Sequence, residues 1–543
     1  MIEFEHKLPS MNIDGRQNGT YNNHELGFPS VLTTLDARLG LFIKALRNSI
    51  LSERSLVFID GRVLLCDKNW IRDHVHITKA MRHWEHDFGK FIDFIIDTQR
   101  EDGQFYELIK QYDDYHWRMV NDDCYVMYPD DNLALVRLEL EADVEYLVVE
   151  GAMYQYRTTG DNEWLCRVLP RLEKSIEYML SDDKRFDAEH GLVKRPFTID
   201  TWDFTYDPTN NAKGSEDRRI NPDTPMSIMH GDNSGVYQAM LQLAWFNRRL
   251  GREEKATEWE SKAAVLRENM FKHLWNGNFF IHQLHLGHDG ADNLENVRLS
   301  LSNTYDINRG VTDTEQSRKI IEEYMRRRET TDLFAEWFTV DPPYENFIGY
   351  TAGEYVNGAV SPFTAGELAK AAFQNGYEEY GYDIIKRFME LVERDGTSYF
   401  LYFPDSAPQA DRGPSAWGAA ALISAIDEGL AGIEDIGVCY DEIKFSPRFP
   451  VTEYKELRYL TGYERTETTV DLRYILKEDG MRYDLYSPKS TIHAHILLPK
   501  GKEASALYVD GEKREFSVSC VGDSRYVDLL VESNGLVSFQ IIF

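Results

Sequence analysis

The chain has 543 residues and a formal net charge of −31 at pH 7, from 60 Lys+Arg against 91 Asp+Glu. That acidity disfavours a nucleic acid or an anionic membrane as partner, and no run of roughly 18 or more apolar residues is present to span a bilayer. Length predicts roughly two to four structural units, and a hydrophobic content of 42% with 31 Tyr and 10 Trp supplies a large core and rings to line a pocket.

Residues 1–29 are polar and weakly patterned, and are expected as an extended strap. The opening "MIEFEHKLPSMNIDG" lacks a basic region followed by an apolar one. The five cysteines (Cys66, Cys124, Cys166, Cys439, Cys520) show no CxxC or CxxH spacing. Both features point to a reduced, cytoplasmic protein, with no metal or cofactor. Residues 30–53 carry helical spacing, and "SLVFIDGRVLLC" reads as a hairpin turning at Asp60-Gly61. "KNWIRDHVHITKAM" then crowds Trp70, Arg72, Asp73, His74 and His76 at the mouth of an apolar helix. Helical pairs follow: 133–160 with 162–181, then stripes through Val236–Trp245 and Ala256–Leu274, then 314–328, 362–375, 380–393 and 415–429. Short outer turns alternate with long Gly/Pro/Asp-rich loops, as when helical hairpins close into a ring with the long loops on one rim. About ten of the twelve helices of such a ring are readable, and the varying hairpin lengths argue against a solenoid of fixed period. From Tyr440 onward β alternation recurs with turn signals, as expected of an antiparallel sandwich.

Four loops that feed helix starts share aromatic, carboxylate and Asn or Gly residues. They are the Trp70 segment; "FTIDTWDFTYDP" with Asp200, Trp202, Asp203, Tyr206 and Asp207; "LFAEWFTVDPPYENFIGYTAGEYVNG" with Glu336, Trp337, Glu354, Tyr355 and Asn357; and "YFLYFPDSAPQADRGPSAW" with Asp405, Asp411 and Trp417. Carboxylates among indoles suit a sugar, whose CH face stacks on a ring while its hydroxyls take hydrogen bonds. Cleaving a glycosidic bond needs one protonated carboxyl and a second carboxylate that activates water or attacks directly. Burial beside Trp202 is expected to keep Asp203 a proton donor. For single residues plainer roles compete: an Arg72–Asp73 ion pair, or turn and cap duties for Asp200 and Asp207. No Walker loop, GxSxG or HExxH is present.

On these motifs the region 30–433 resembles the six-hairpin (α/α)6 glycosidases, nearest the glucoamylase-like members. "NWIRDHVHITKAM" is similar to their Trp-x-Arg-Asp segment, and the resemblance implies that Arg72 and Asp73 hold sugar hydroxyls. "DTWDFTYD" is similar to the loop carrying their general acid, here Asp203; glucoamylases have Glu there, and the trehalase-like relatives Asp. "EYVNGAVSPF" and "PSAWGAAALISAI" are similar to two further helix starts. The closing β segment resembles the sandwich after the barrel of α-L-rhamnosidases. The implied fold is mainly α: a toroid over 30–435, then a small β-sandwich over 436–543. Where the resemblance implies a general base, the sequence has Phe400 and Leu401, so Asp405, Glu336 and Glu354 all stay eligible.

The expectation is an exo-acting, inverting glycoside hydrolase on a neutral sugar, held by Trp70, Arg72, Asp73, His74, Asp200, Trp202, Trp337, Tyr355, Asn357 and Trp417. A phosphorylase needs no base but wants a cationic or Ser/Thr-rich pocket, and no such cluster stands out in these loops. A sugar epimerase or lyase would use His74, His76, His116 or His230 as proton shuttle. A carbohydrate-binding protein that has lost its base is the remaining alternative.

Overall fold

The computed structural model describes residues 33–34, 37–111, 120–205 and 218–543. The strap expected over 1–29, Tyr206, Asp207 and His116 lie outside the described residues. Among those described are twelve α-helices: α1 (Ala37–Glu53), α2 (Ile71–Met81), α3 (Gly89–Asp97), α4 (Val144–Thr159), α5 (Asn162–Met179), α6 (His230–Arg249), α7 (Glu253–Leu274), α8 (Ser302–Asn308), α9 (Thr314–Thr330), α10 (Pro362–Gln374), α11 (Glu378–Asp395) and α12 (Ala416–Ser424). Periodicity accounts for ten. The other two, α3 and α8, span nine and seven residues, too short to display a stripe. Residues 133–160, expected as one helix, divide instead into a strand and α4. Leu133–Val136 is pulled into a small sheet between Leu108–Gln111 and Tyr125–Tyr128.

Helix starts follow local chemistry. Asp161 accepts from the Trp164 amide at 2.9 Å to begin α5, Asp313 and Gln316 form a reciprocal capping box on α9, and Ser361 caps α10 ahead of Pro362. The hairpin between α1 and α2 turns on Asp60 and Gly61, both at positive φ (51° and 69°), the conformation a two-residue turn requires.

The even-numbered helices close a circuit. Helix α2 packs on α4, α4 on α6, α6 on α8, α8 on α10, α10 on α12, and α12 returns to α2, while the odd-numbered helices pack outside their neighbours. Close approach depends on absent side chains: a Cβ at Gly235 on α6 would lie 2.3 Å from the Tyr146 ring on α4, and one at Gly366 on α10 would lie 2.5 Å from the Ala421 backbone on α12. Among the described residues no helix is long and apolar enough to cross a membrane.

After α12 and a π-helical turn (Ala425–Leu430) the chain becomes β. An antiparallel sandwich is expected; hydrogen bonding links ten strands, all pairs antiparallel but one. The cause is the 18-residue strand Gly480–Leu497, which changes neighbours at an irregularity between Tyr486 and Lys489. Before it the strand pairs antiparallel with Asp471–Leu476; beyond it, parallel with Glu442–Phe445. Thr33–Thr34 adds to the same sheet beside Tyr459–Leu460, so the chain on the N-terminal side of α1 is tied to the last segment. One apolar core runs from the helices into the sheet, with Phe373 and Ile426 on the helical side and Phe445 and Tyr483 on the sheet side.

His74, expected to hold sugar, points into the core. It is fully buried, and its Nε2 lies 2.7 Å from the Phe88 carbonyl oxygen. Its Nδ1 sits 3.8 Å from the carboxylate of Asp67, which is equally buried and accepts no hydrogen bond among the described residues. Burial, then repulsion from Asp73, Glu53 and Glu85, pushes Asp67 up to about 8, and burial takes His74 down to about 4. Between those values both are uncharged. Because the folded pKa of Asp67 exceeds its unfolded value near ~3.9, its contribution to stability is complete below that pH and is lost as pH rises toward 8. Asp67→Asn is therefore expected to flatten the fall of unfolding free energy with pH across this window by up to ~1.4 kcal/mol per unit, measured by urea titration at successive pH values.

Candidate active site

The first turns of five even-numbered helices converge on a cavity of about 230 Å³. Helix α2 and its cap residue supply Trp70, Arg72, Asp73 and His76. Tyr146 comes from α4, Ser302 and Tyr305 from α8, Phe363 from α10 and Trp417 from α12. The intervening loops add Lys68, Trp202, Asp203, Tyr355, Phe400 and Arg412. The rings form continuous walls. His76 stacks flat on Trp417 (4.2 Å, 10°), and Trp417 stacks on Phe363 at 4.7 Å. Trp202 meets Tyr355 at 5.1 Å and Phe400 at 5.8 Å.

Arg72 does not pair with Asp73. Its guanidinium binds Asp143 through two hydrogen bonds (2.5 and 3.0 Å) and also donates to Glu141. Arg195 continues the chain, donating to Glu141 at 3.3 Å and lying 3.5 Å from Asp232. Arg195 also donates to the Trp202 carbonyl at 2.5 Å, which fixes the loop carrying Asp203. Every charged group in this network is buried. Burial lifts Glu141 to about 7 against the pull of Arg72. Asp143 is equally buried, yet the charge and hydrogen bonds of Arg72 hold it below the ordinary carboxylate range. Asp73 is thereby left facing the cavity. Burial raises its pKa, Lys68 and Arg72 oppose the rise, and the negative charge of Asp203 adds to it. Among the described residues Asp73 and Asp203 are the cavity's carboxylates, and they sense each other.

Of the sequence candidates, Trp70, Arg72, Asp73, Trp202, Asp203, Tyr355 and Trp417 line this cavity. The rest lie elsewhere. Asp200 stands one residue behind: its carboxylate accepts from the amide and hydroxyl of Ser302, and Ser302 faces the cavity. Glu336 is fully buried in a bidentate pair with Arg387 (2.7 and 2.9 Å) and accepts from Tyr380 at 2.5 Å, tying its loop to α11. Trp337 is buried under the same guanidinium, 4.6 Å from its ring centroid. The Asn357 amide clamps its own loop through Tyr344 and Tyr350. Glu354 accepts from the Thr351 amide in a local turn, and exposed Asp405 accepts from the Ala407 amide. Turn and clamp chemistry takes these five side chains; none lines the cavity.

Residues 67–403 match the family described as the Mannosylglycerate hydrolase MGH1-like glycoside hydrolase domain. The chain belongs to this family. The matched segment is a glycoside hydrolase domain. No curated protein matches the chain. Among solved structures it is similar to an α-L-rhamnosidase from Dictyoglumus thermophilum (TM-score 0.57, 13% identity, covering 94% of this chain and 51% of that one) and to the Streptomyces avermitilis α-L-rhamnosidase complexed with L-rhamnose (0.57, 12%, 94% and 42%). It is also similar to the GH63 mannosylglycerate hydrolase from Thermus thermophilus in complex with Tris (0.50, 16%, 70% and 98%). The chain spans about half the length of these rhamnosidases, and at such identities the likeness is one of fold.

The cavity also holds residues that carry no motif: Lys68, Tyr146, Ser302, Arg309, Phe363 and Arg412. Lys68 and Arg412 stood inside quoted segments and could have been marked as cations beside aromatic loops; Tyr146, Ser302 and Phe363 carry no sequence signal apart from their place in a first turn. Arg309, on the far side of α8, donates to the Gly231 carbonyl and the Ser234 hydroxyl and lies 5.0 Å over Tyr146. A pocket expected to be acidic therefore presents four cations and two carboxylates. Arg72→Ala would strand Glu141 and Asp143 without their cation. It is expected to cost about 3–5 kcal/mol of unfolding free energy, measured by chemical denaturation.

Proposed function

We propose that this glycosidase is exo-acting and removes a neutral sugar from the end of an oligosaccharide or small glycoside, with Asp203 as the proton donor to the leaving oxygen. The observation that carries this reading is the pairing of Asp203 with Asp73 across one cavity whose walls are Trp202, Tyr355 and Trp417. Trp70 and Trp202 offer faces for a pyranose, and Arg72 and Asp73 offer donors and acceptors for its hydroxyls. At that end Arg72 is balanced by Glu141 and Asp143, so an anionic ring gains nothing there. The buried network closes the floor, which favours a chain end over a chain middle.

Direct displacement with inversion fits better than a covalent intermediate. Burial raises the proton affinity of Asp73 against the pull of Lys68 and Arg72, and those cations engage its charge, which blunts it as a nucleophile. The closed circuit of even-numbered helices, flanked by the odd ones, supports an (α/α)6 toroid over residues 30–435, with 436–543 as a separate β unit and 1–29 preceding both.

Asp203→Asn is expected to lower kcat on a responsive aryl glycoside by about 10²–10⁴-fold while sugar binding survives. A fully active variant would remove the assignment. Asp405→Asn and Glu354→Gln, whose carboxylates accept from amides in local turns, are expected to hold kcat within about twofold, as for ordinary surface changes.

A further inference from the structure

Hydrolysis with inversion asks for a carboxylate to take the proton from water. In the described cavity that role has no dedicated group. Glu336, Glu354 and Asp405 are spent elsewhere, and Asp73 lies buried between the charges of Lys68 and Arg72. The wall against Trp202 carries Phe400, where sequence reading sought the base. A cation stands at each end of this wall. The Lys68 ammonium is 5.5 Å from the Phe400 centroid, and the Arg412 guanidinium lies 3.9 Å over Tyr355, which touches Trp202. Tyr355 in turn feels the charges of Arg412 and Asp203, and Asp73 feels that of Lys68, so the two cations stand by different carboxylates of one cavity.

Neither cation is fully used. Lys68 has Glu53 at 3.2 Å and keeps donors to spare on an ammonium of three. Arg412 reaches the Tyr350 hydroxyl only at 3.5 Å, and its Nε is buried with no hydrogen bond, the Asp411 carboxylate being 3.5 Å away. An Nε held only by an ion pair at 3.5 Å leaves its donor open to a closer anion.

We propose a further activity at this site: transfer of the glycosyl group to inorganic phosphate, bound between Lys68 and Arg412. This rests on Asp203 being the proton donor. A phosphate dianion brings its own charge and needs cations rather than a base, which is what this wall provides. A phosphate oxygen forms the new bond to the anomeric carbon as the glycosidic C–O bond breaks. The bonding pair goes to the leaving oxygen, which takes the Asp203 proton. The proton of HPO₄²⁻ then restores Asp203, so a glycoside and phosphate yield a glycosyl phosphate and an alcohol.

The test offers the full chain a panel of aryl glycosides and disaccharides with and without inorganic phosphate, followed by ³¹P NMR. Phosphate is expected to accelerate cleavage at least about tenfold with a glycosyl phosphate as product, and Lys68→Gln and Arg412→Gln each to lower kcat/KM for phosphate by about tenfold or more. Release of free sugar at a rate indifferent to phosphate would overturn the proposal and leave Asp203 standing. Cleavage confined to glycosides with an anionic leaving group, again indifferent to phosphate, would overturn it too and give the two cations to that group. If no glycoside is cleaved, the reading of Asp203 falls, and calorimetry with inorganic phosphate judges the anion site alone. Binding that both variants abolish upholds the site; no binding ends it.

Discussion

The buried guanidinium of Arg72 is the constraint around which the rest is arranged. One cation on α2 is satisfied by Glu141 and Asp143, carried just before α4. Glu141 is shared with Arg195, and Arg195 holds both Asp232 on α6 and the backbone of Trp202. Three neighbouring helices of the circuit and the loop bearing the proposed acid are thus referred to one set of charges. A buried ion pair is a weak source of net stability but a strong source of specificity, since removing any member strands its partners.

That arrangement also decides which carboxylates remain available for chemistry. Glu141 and Asp143 are consumed by Arg72, while Asp73, one residue along on the same first turn, is turned to the cavity and feels Asp203. Two carboxylates facing one cavity, with Asp203 adding to the rise in the proton affinity of Asp73, suit the gripping of hydroxyls. The aromatic lining lowers the local dielectric around those few charges. Lys68 and Arg412, near Phe400 and Tyr355, bring positive charge to the same cavity.

Much of the scaffold was legible because its signals are local. Long amphipathic helices, caps such as Asp313 with Gln316, and the Asp60-Gly61 turn are settled within a few residues. The cavity residues at the head of α2 were legible too, since Trp70, Arg72 and Asp73 stand side by side. Glu336 and Asp405 were not. As carboxylates in aromatic loops they look like Asp203, and only Arg387 on α11 and the amide of Ala407 reveal that they are occupied. The one parallel pairing was equally hidden, because a strand's change of neighbours at Tyr486 and Lys489 depends on residues some fifty positions earlier.

By itself the sequence determined the ordering of helices, the switch to β structure near residue 433, and the concentration of indoles and carboxylates in four loops; each follows from side-chain periodicity or turn chemistry within a short span. Tertiary structure alone decided which of those carboxylates keep a free face. A carboxylate's role is set by whichever cation or amide reaches it first, and the partners that claimed Glu336 and Glu141 lie 51 and 69 residues away along the chain. The same distance effect assembled Lys68 and Arg412 at one aromatic wall from opposite ends of the helical region.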